Sequence, residues 1–230
     1  MNQMKPILFN TEMVQAIDNG LKCVTRRLVS PQPEFRHGET GTPEILDDGN
    51  WTFKIDQYES IYDHELVPKY QVGDILYVRE TWRVLTAHRF DDDEIIGYKA
   101  KPGYYSKIVF PGSMSQTASR DEYDEFIGKW CDDKWHPSIF MPKEAARLFL
   151  EVTDVYLARL NDMEEEDAIL EGFPDLGVDD DSPLMRFSTV WDKTLKGYRE
   201  IIKHGWFANP WVWVYHFRKL SPEEGKGGAV

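Results

Sequence analysis

The chain has 230 residues, of which 41% are hydrophobic and 29% are charged, so it can bury a core and has the composition of a globular protein. Its formal net charge of −13 opposes broad, non-specific binding to nucleic acid, because the average field repels a polyanion. No apolar run approaches the roughly 20 residues of a membrane span, and no signal-peptide pattern follows Met1. We therefore expect a cytoplasmic protein that makes no membrane contact.

The cysteine and histidine content argues against a disulfide framework and against a metal centre. The only cysteines are Cys23 and Cys131, a number typical of proteins from a reducing compartment. Cys131 and His136 lie close in sequence, but two residues do not make a zinc site. The sequence contains no phosphate-binding loop, dinucleotide fingerprint or metalloprotease helix. We expect no metal and no cofactor.

The first elements are a short strand, a capped helix and a basic strand. Residues 6–9 are apolar and predict a strand. Asn10 or Thr11 can cap a helix, and Gly20 is a natural stop for it. Residues 22–29 are of strand type but strongly basic.

Two segments have the composition of insertions. Prolines and glycines interrupt residues 30–70, where Trp51–Ile55 alternates like a strand. Residues 83–135 contain an acidic run and a polar stretch, and here we expect mobile loops with one short helix or hairpin. Between the insertions, residues 75–82 predict a strand.

The second half of the chain alternates strands and helices. Residues 147–160 predict a long strand, and a capping-box pattern at Asp162 predicts a helix that ends at Gly172. Ser182, followed by proline, predicts the start of another helix. Residues 211–217 are apolar on both faces, which favours an internal strand.

These elements predict an α+β fold in one domain over residues 1–220, followed by a disordered tail at 221–230. We expect a mixed barrel of about five or six strands with helices packed on its outside. The expected sheet contains residues 22–29, 75–82, 147–160 and 211–219.

The segment from Gly20 to Arg27 is the most distinctive candidate for chemistry. In a strand, neighbouring side chains point to opposite faces, so Thr25 and Arg27 share one face and Lys22 and Arg26 share the other. A bulge or turn at the junction with the preceding helix would let Lys22 approach Thr25. The alternative interpretation is three cations on an exposed strand.

The pattern Gly-x-Lys-x-x-Thr-x-Arg in that segment resembles the signature of the ASCH family. Three further blocks resemble the same family, and the third is similar to ASCH proteins of bacteriophages and prophages. These blocks are GDILYVRETW at 73–82, EDAILEGF at 166–173 and NPWVWV at 209–214. The resemblance covers residues 5–29, 71–82, 137–173 and 206–219 and leaves the two insertions outside.

The resemblance implies a PUA-like barrel associated with RNA. One ASCH branch, the small N4-acetylcytidine amidohydrolases, uses a lysine, a threonine and a glutamate, which match Lys22, Thr25 and Glu171. The basic residue two positions after the threonine matches Arg27. The present chain is about twice as long as those enzymes, so its insertions can reshape the pocket.

The three residue types suit amide hydrolysis on chemical grounds. A threonine hydroxyl becomes a nucleophile when a base takes its proton, and a lysine with a lowered pKa can be that base. A glutamate with a raised pKa can protonate the leaving amine. Arg26 and Arg27 are candidates to hold an oxyanion or a phosphate.

Further substrate-binding candidates lie elsewhere in the chain. Glu80 is a second carboxylate, or alternatively the partner of Arg79 or Arg27 in an ion pair. Tryptophan rings can stack on a base, although each can equally be a core residue. The ring candidates are Trp82, Trp206, Trp211 and Trp213.

Three functions remain open at this point. The first is an amidohydrolase of N4-acylated cytidine or a related modified nucleoside. The second is a non-catalytic module that binds a nucleotide or RNA. The third is an acidic phage protein that binds a host protein. The lysine, threonine and glutamate favour the first, whereas the insertions and the charge favour the others.

Overall fold

The computed structural model describes most of the chain. The described residues are 4–35, 41–55, 60–61, 65–85, 94–98, 101–108, 129–130, 134–177, 182–221 and 224–225. The acidic run and the polar stretch of the second predicted insertion lie outside them.

Within these residues, four α-helices and eleven strands have both ends described. The helices are α1 (Thr11–Asp18), α2 (Glu165–Leu170), α3 (Pro183–Thr194) and α4 (Tyr198–His204). The first six strands are β1 (Lys5–Leu8), β2 (Val24–Leu28), β3 (Gly41–Ile45), β4 (Trp51–Ile55), β5 (Ser60–Ile61) and β6 (Ile75–Arg79). The others are β7 (Trp82–Leu85), β8 (Glu94–Tyr98), β9 (Lys101–Ile108), β10 (Phe149–Arg159) and β11 (Trp211–Leu220).

The largest sheet has five strands in the order β1-β6-β10-β11-β2. It is mixed, because β1 runs parallel to β6 whereas β11 runs antiparallel to β2. All four strands predicted to share a sheet are present in it. Its edge strands are β1 and β2, and among the described residues no strand pairing closes it into a barrel.

Two smaller antiparallel sheets occupy the predicted insertions. The first has the order β3-β4-β5, so the strand predicted at Trp51–Ile55 is confirmed as its central strand. The second has the order β7-β8-β9 and contains the hairpin expected in the second insertion.

The chain divides into two compact units, each assembled from separate segments. Unit 1 contains Met1–Asn19, Ile75–Leu150 and Lys219–Val230, and unit 2 contains Gly20–Asp74 and Glu151–Arg218. In unit 1 a hydrophobic cluster forms around Trp82, Met141 and Phe149. In unit 2 Phe53 is fully buried and its ring lies 4.7 Å from that of Trp211.

Two predicted helix starts are confirmed, and one is wrong. The side chain of Asn10 accepts a hydrogen bond from the Met13 N–H at the start of α1, and Ser182 caps α3 in the same way. Asp162 does not cap α2. It lies in a 3-10 turn, and the helix begins after Glu164, whose capping box with Asp167 satisfies the first amides instead.

Two further expectations need adjustment. The predicted strand 75–82 is two strands, since β6 ends at Arg79 and β7 begins at Trp82. Of the tail predicted to be disordered, Gly225 is buried and donates its N–H to the Ser221 carbonyl at 2.9 Å. Most of that tail lies outside the described residues.

Among the described helices, none is long and apolar enough to cross a membrane.

Candidate functional site

The end of α2 lies against the beginning of β2 within unit 2. The Cys23 N–H donates to the Leu170 carbonyl at 3.0 Å, and Lys22 and Glu171 form an isolated antiparallel bridge. Gly172 follows with a φ of 100°, a conformation that a side chain disfavours, and this ends the helix at Leu170 with Glu171 as its C-cap. The turn therefore fixes Glu171 beside Lys22, although 149 positions separate them in sequence.

The Lys22 ammonium has an acceptor for each of its three protons. Nζ lies 2.5 Å from Glu171 Oε2, 2.8 Å from the Glu171 carbonyl oxygen and 2.7 Å from the Val24 carbonyl oxygen. Both side chains are buried, with 1% of Lys22 and 4% of Glu171 exposed. The interpretation of Lys22 as a surface cation is therefore wrong.

Arg26 extends this pair into a cluster of four charged residues. Its Nη1 lies 3.3 Å from Glu171 Oε1, and its Nη2 lies 3.1 Å from Asp167 Oδ2. In the described part of the chain, the buried Nε of Arg26 has no hydrogen-bond partner. We call Lys22, Arg26, Asp167 and Glu171 the Lys22–Glu171 cluster.

Within this cluster, burial favours the neutral form of the Lys22 amine. Removal from water lowers the pKa of Lys22, and the Glu171 carboxylate opposes that shift without cancelling it. Arg27 and Arg26 lower the pKa of Lys22 further, because they are cations close to a buried cation. The cluster thus contains an amine that gives up its proton more readily than an ordinary lysine.

Thr25 lies on the opposite face of β2 from Arg26. It pairs with Tyr215 across β11 and is 4% exposed, and its hydroxyl is not among the three acceptors that surround Lys22 Nζ. Arg27 shares this face and pairs with Trp213. The structure thus brings Lys22, Arg26 and Glu171 into direct contact and places Thr25 three positions from Lys22, on the face of β2 opposite Arg26.

Arg27 is half-buried, and two buried tyrosines, Tyr70 and Tyr215, lie close to it. Burial lowers the pKa of Arg27, while Tyr70, Glu171 and Tyr215 act in the opposite direction. The rings of Tyr70 and Tyr215 lie 5.2 Å apart in an edge-to-face arrangement, and burial raises the pKa of Tyr215. Arg27 is therefore held in a polar-aromatic setting within electrostatic range of Glu171.

Glu80 and Trp82 belong to unit 1, where each has its own structural partners. Glu80 is fully buried and forms an ion pair with Arg147 at 2.8 Å, a partner not considered from the sequence. Trp82 is also fully buried, and its ring contacts Trp130 and His136. These two residues stabilise the interior of unit 1.

The other tryptophans differ in how much of their ring is accessible. Trp211 is 7% exposed, with the Arg159 guanidinium 4.3 Å from its ring centroid, and Trp213 is 5% exposed beside Trp51. Trp206 is half-buried and lines a surface pocket. Of these three candidate rings, Trp206 has the most accessible surface.

Sequence reasoning missed three residues around the cluster. Asp167 precedes Glu171 by four positions, so helical spacing places both on one face and could have identified it. The Tyr156 hydroxyl lies 3.4 Å from His216 Nε2, and His216 pairs with Val24 across β11 and β2. These last two positions are recognisable only once the strand pairing is known.

The described residues contain no group of three or more His, Cys, Asp or Glu that could hold a metal ion. Comparison with protein-family models, curated proteins and solved structures finds no match. The resemblance to the ASCH family therefore rests on the sequence motifs alone.

Proposed function

We propose that this chain is an ASCH-type protein with a PUA-like core that hydrolyses an amide on the exocyclic nitrogen of a cytidine-like nucleoside. The observation that carries the proposal is the buried contact of 2.5 Å between Lys22 Nζ and Glu171 Oε2. Two of the three residue types required by the ASCH amidohydrolases meet there, and the third, Thr25, is three positions from Lys22.

Transfer of one proton inside the Lys22–Glu171 pair prepares both for catalysis. Moving a proton from Nζ to the carboxylate gives a neutral amine and a carboxylic acid, which are the base and the acid that the reaction needs. On the side of the amine, burial favours this transfer, because removal from water lowers the pKa of Lys22.

The reaction then proceeds through an ester on Thr25. The Lys22 amine takes the hydroxyl proton, Thr25 Oγ1 bonds to the acyl carbon, and the bond from that carbon to N4 breaks. Glu171 gives its proton to N4, which leaves as the amino group of the base. Water then attacks the ester and releases the carboxylic acid, restoring the threonine hydroxyl.

Position and charge support these roles. Lys22 Nζ contacts the carbonyl oxygen of Val24, the residue before Thr25, so the base is held at the segment that carries the nucleophile. The Nε of Arg26 is buried in the same cluster without a hydrogen-bond partner among the described residues, and a guanidinium N–H is suited to an acyl or ring carbonyl oxygen.

Incubation with N4-acetylcytidine, analysed by mass spectrometry, tests the proposal. We expect cytidine and acetate in equal amounts from the native chain, and neither product from Thr25→Ala. A panel of acylated and methylated nucleosides extends the test to related substrates. Turnover by Thr25→Ala at the native rate would exclude the proposed nucleophile.

A non-catalytic nucleotide-binding module is the second candidate. It is favoured by the three acceptors around Lys22 Nζ, because an ammonium engaged in this way is a structural cation and not a free base. Measurable affinity for a nucleotide or RNA, with no product from any acylated cytidine, would favour this function.

A further inference from the structure

The helix α4 differs from the other described helices because none of its residues is buried. Its apolar side chains face solvent, with Tyr198 78% exposed and Ile202 59% exposed. Phe207, three residues beyond the helix, is 95% exposed. Three large exposed apolar residues within ten positions form a patch, which is a mark of an interaction site.

Cations flank this patch. At about 100° per residue, Arg199 and Lys203 lie one turn apart on the helix, next to Tyr198 and Ile202. Like charges at this spacing destabilise a helix, and α4 has no buried side chain to offset the effect. The arrangement therefore has a cost for folding that a binding role would explain.

These cations are available to a ligand. In the part of the chain that the structure describes, no ion pair engages Lys196, Arg199 or Lys203, whereas Glu200 lies 3.8 Å from His204 within the helix. The segment is locally basic in a chain whose net charge is −13. A polyanion repelled by the rest of the protein would meet a favourable field here.

We propose that α4 and its flanks bind single-stranded nucleic acid, with the cations on phosphates and the exposed rings stacked on bases. The residues of this α4 surface are Lys196, Tyr198, Arg199, Ile202, Lys203 and Phe207. Aromatic rings beside cations suit a single strand, whose bases are free to stack. The inference does not depend on hydrolysis at Thr25, and the helix itself lies outside the segments that resemble the ASCH family.

A pocket next to the α4 surface has the size and lining for an unstacked base. It has a volume of about 450 Å³ and lies between α3 and the turn at Trp206–Ala208, with Met185, Trp206 and Phe207 forming its apolar wall. Ser188 and Asp192 supply polar groups, and Asp192 Oδ1 accepts a hydrogen bond from the Trp206 N–H at 2.8 Å. A carboxylate repels phosphate but accepts from a base amino group, so the pocket suits cytosine or adenine better than uracil.

A lipid surface fits these features less well. The helix has seven residues and is therefore about 10 Å long, which gives little apolar area for insertion between lipid headgroups. An acidic peptide would satisfy the cations but would leave the exposed rings of Tyr198 and Phe207 without flat partners.

Fluorescence anisotropy with labelled oligonucleotides tests the proposal on the full-length protein. We expect salt-dependent binding of single-stranded C-rich and A-rich oligonucleotides, and weaker binding of oligo-U. Comparing the affinities of RNA and DNA oligonucleotides of the same sequence shows which sugar is preferred. The double variant Arg199→Gln/Lys203→Gln should bind about tenfold more weakly and reduce the slope of log K against log salt by about 1.4, since each phosphate contact contributes about 0.7 for a single strand.

A second variant separates stacking from charge. Phe207→Ala should weaken binding with no change in the salt slope, because it removes a ring and no cation. Lys54→Gln and Phe140→Ala alter an exposed lysine and an exposed phenylalanine elsewhere, and both should bind like the native protein. None of these variants alters Lys22, Thr25 or Glu171, which keeps this test separate from hydrolysis.

Two outcomes would overturn the proposal. One is equal affinity of the native protein and Arg199→Gln/Lys203→Gln for every oligonucleotide. The other is equal competition by a polyglutamate peptide or by vesicles of anionic lipid, which would show a response to negative charge without recognition of bases.

Discussion

Glu171 contacts Lys22 through both its side chain and its backbone. Oε2 and the carbonyl oxygen each accept a hydrogen bond from Nζ, at 2.5 and 2.8 Å. A double attachment of this kind fixes the end of α2 to the start of β2, and it holds the proposed base and the proposed acid in contact away from water. Stability and the proposed chemistry are therefore coupled at this pair.

Removal of the Thr25 hydroxyl separates chemistry from binding. Thr25→Ala should abolish hydrolysis of N4-acetylcytidine while leaving its Kd within about twofold, because it removes the nucleophile and little contact area. Turnover by mass spectrometry and affinity by calorimetry are the two measurements. Thr25→Ser retains a hydroxyl and should keep part of the activity, and loss of binding in Thr25→Ala would contradict the assigned role.

Loss of the Glu171 carboxylate should destabilise the chain. Glu171→Ala leaves Lys22 and Arg26 buried beside each other without their shared partner, and we expect the free energy of unfolding to fall by about 3–5 kcal/mol. In the double variant Lys22→Met/Glu171→Ala the loss should be clearly smaller than the sum of the single losses, as denaturant unfolding would show. Additive losses would mean that the two residues do not interact.

Arg27 distinguishes the two candidate functions. If the chain is a binding module, Arg27→Gln should weaken nucleotide binding more than Thr25→Ala does, because the guanidinium charge and not the hydroxyl holds the ligand. If the chain is an enzyme, Thr25→Ala should cause the larger loss of turnover. Parallel measurement of Kd and turnover on both variants provides the comparison.

Asp18 should make stability sensitive to acid. Burial alone would raise its pKa, but hydrogen bonds from Lys219 and Arg147 outweigh that effect and lower the pKa below 3.8. A lowered carboxyl pKa contributes stability that is present above pH 3.8 and is lost as the pH falls through the folded-state pKa.

Asp18→Asn should therefore be less stable than the native protein at pH 7, by about 1–3 kcal/mol, and the difference should shrink toward pH 2. Thermal unfolding monitored by circular dichroism across that range measures the difference. If the difference in stability between Asp18→Asn and the native protein stayed constant with pH, Asp18 would not titrate as inferred.

Trp82 should behave as a core residue and not as a stacking platform. It is fully buried in unit 1, so Trp82→Ala should reduce the free energy of unfolding by about 3–5 kcal/mol. Trp206→Ala removes a half-buried ring and should cost less stability. If Trp82→Ala kept its normal stability but lost nucleotide binding, Trp82 would be a stacking residue and not a core residue.

Local signals in the sequence determined most of the secondary structure. The caps at Asn10 and Ser182 act through hydrogen bonds to amides three positions away, so neighbouring residues suffice to predict them. Alternation of apolar residues predicted β4 and β10 for the same reason, and a run that is apolar on both faces predicted β11. The capping box was displaced from Asp162 because Glu164 and Asp167 offer a competing pair of the same type.

The tertiary structure decided the electrostatic partners, because an ion pair depends on which strands and helices are neighbours. Glu80 pairs with Arg147, which is 67 positions away, and not with the adjacent Arg79. The sequence identified Lys22 and Glu171 as candidates through the motif resemblance, but only the packing of α2 against β2 gave their distance and burial. The packing of α2 against β2 also determines which charged side chains are buried next to one another. It places the Arg26 guanidinium in contact with both Asp167 and Glu171.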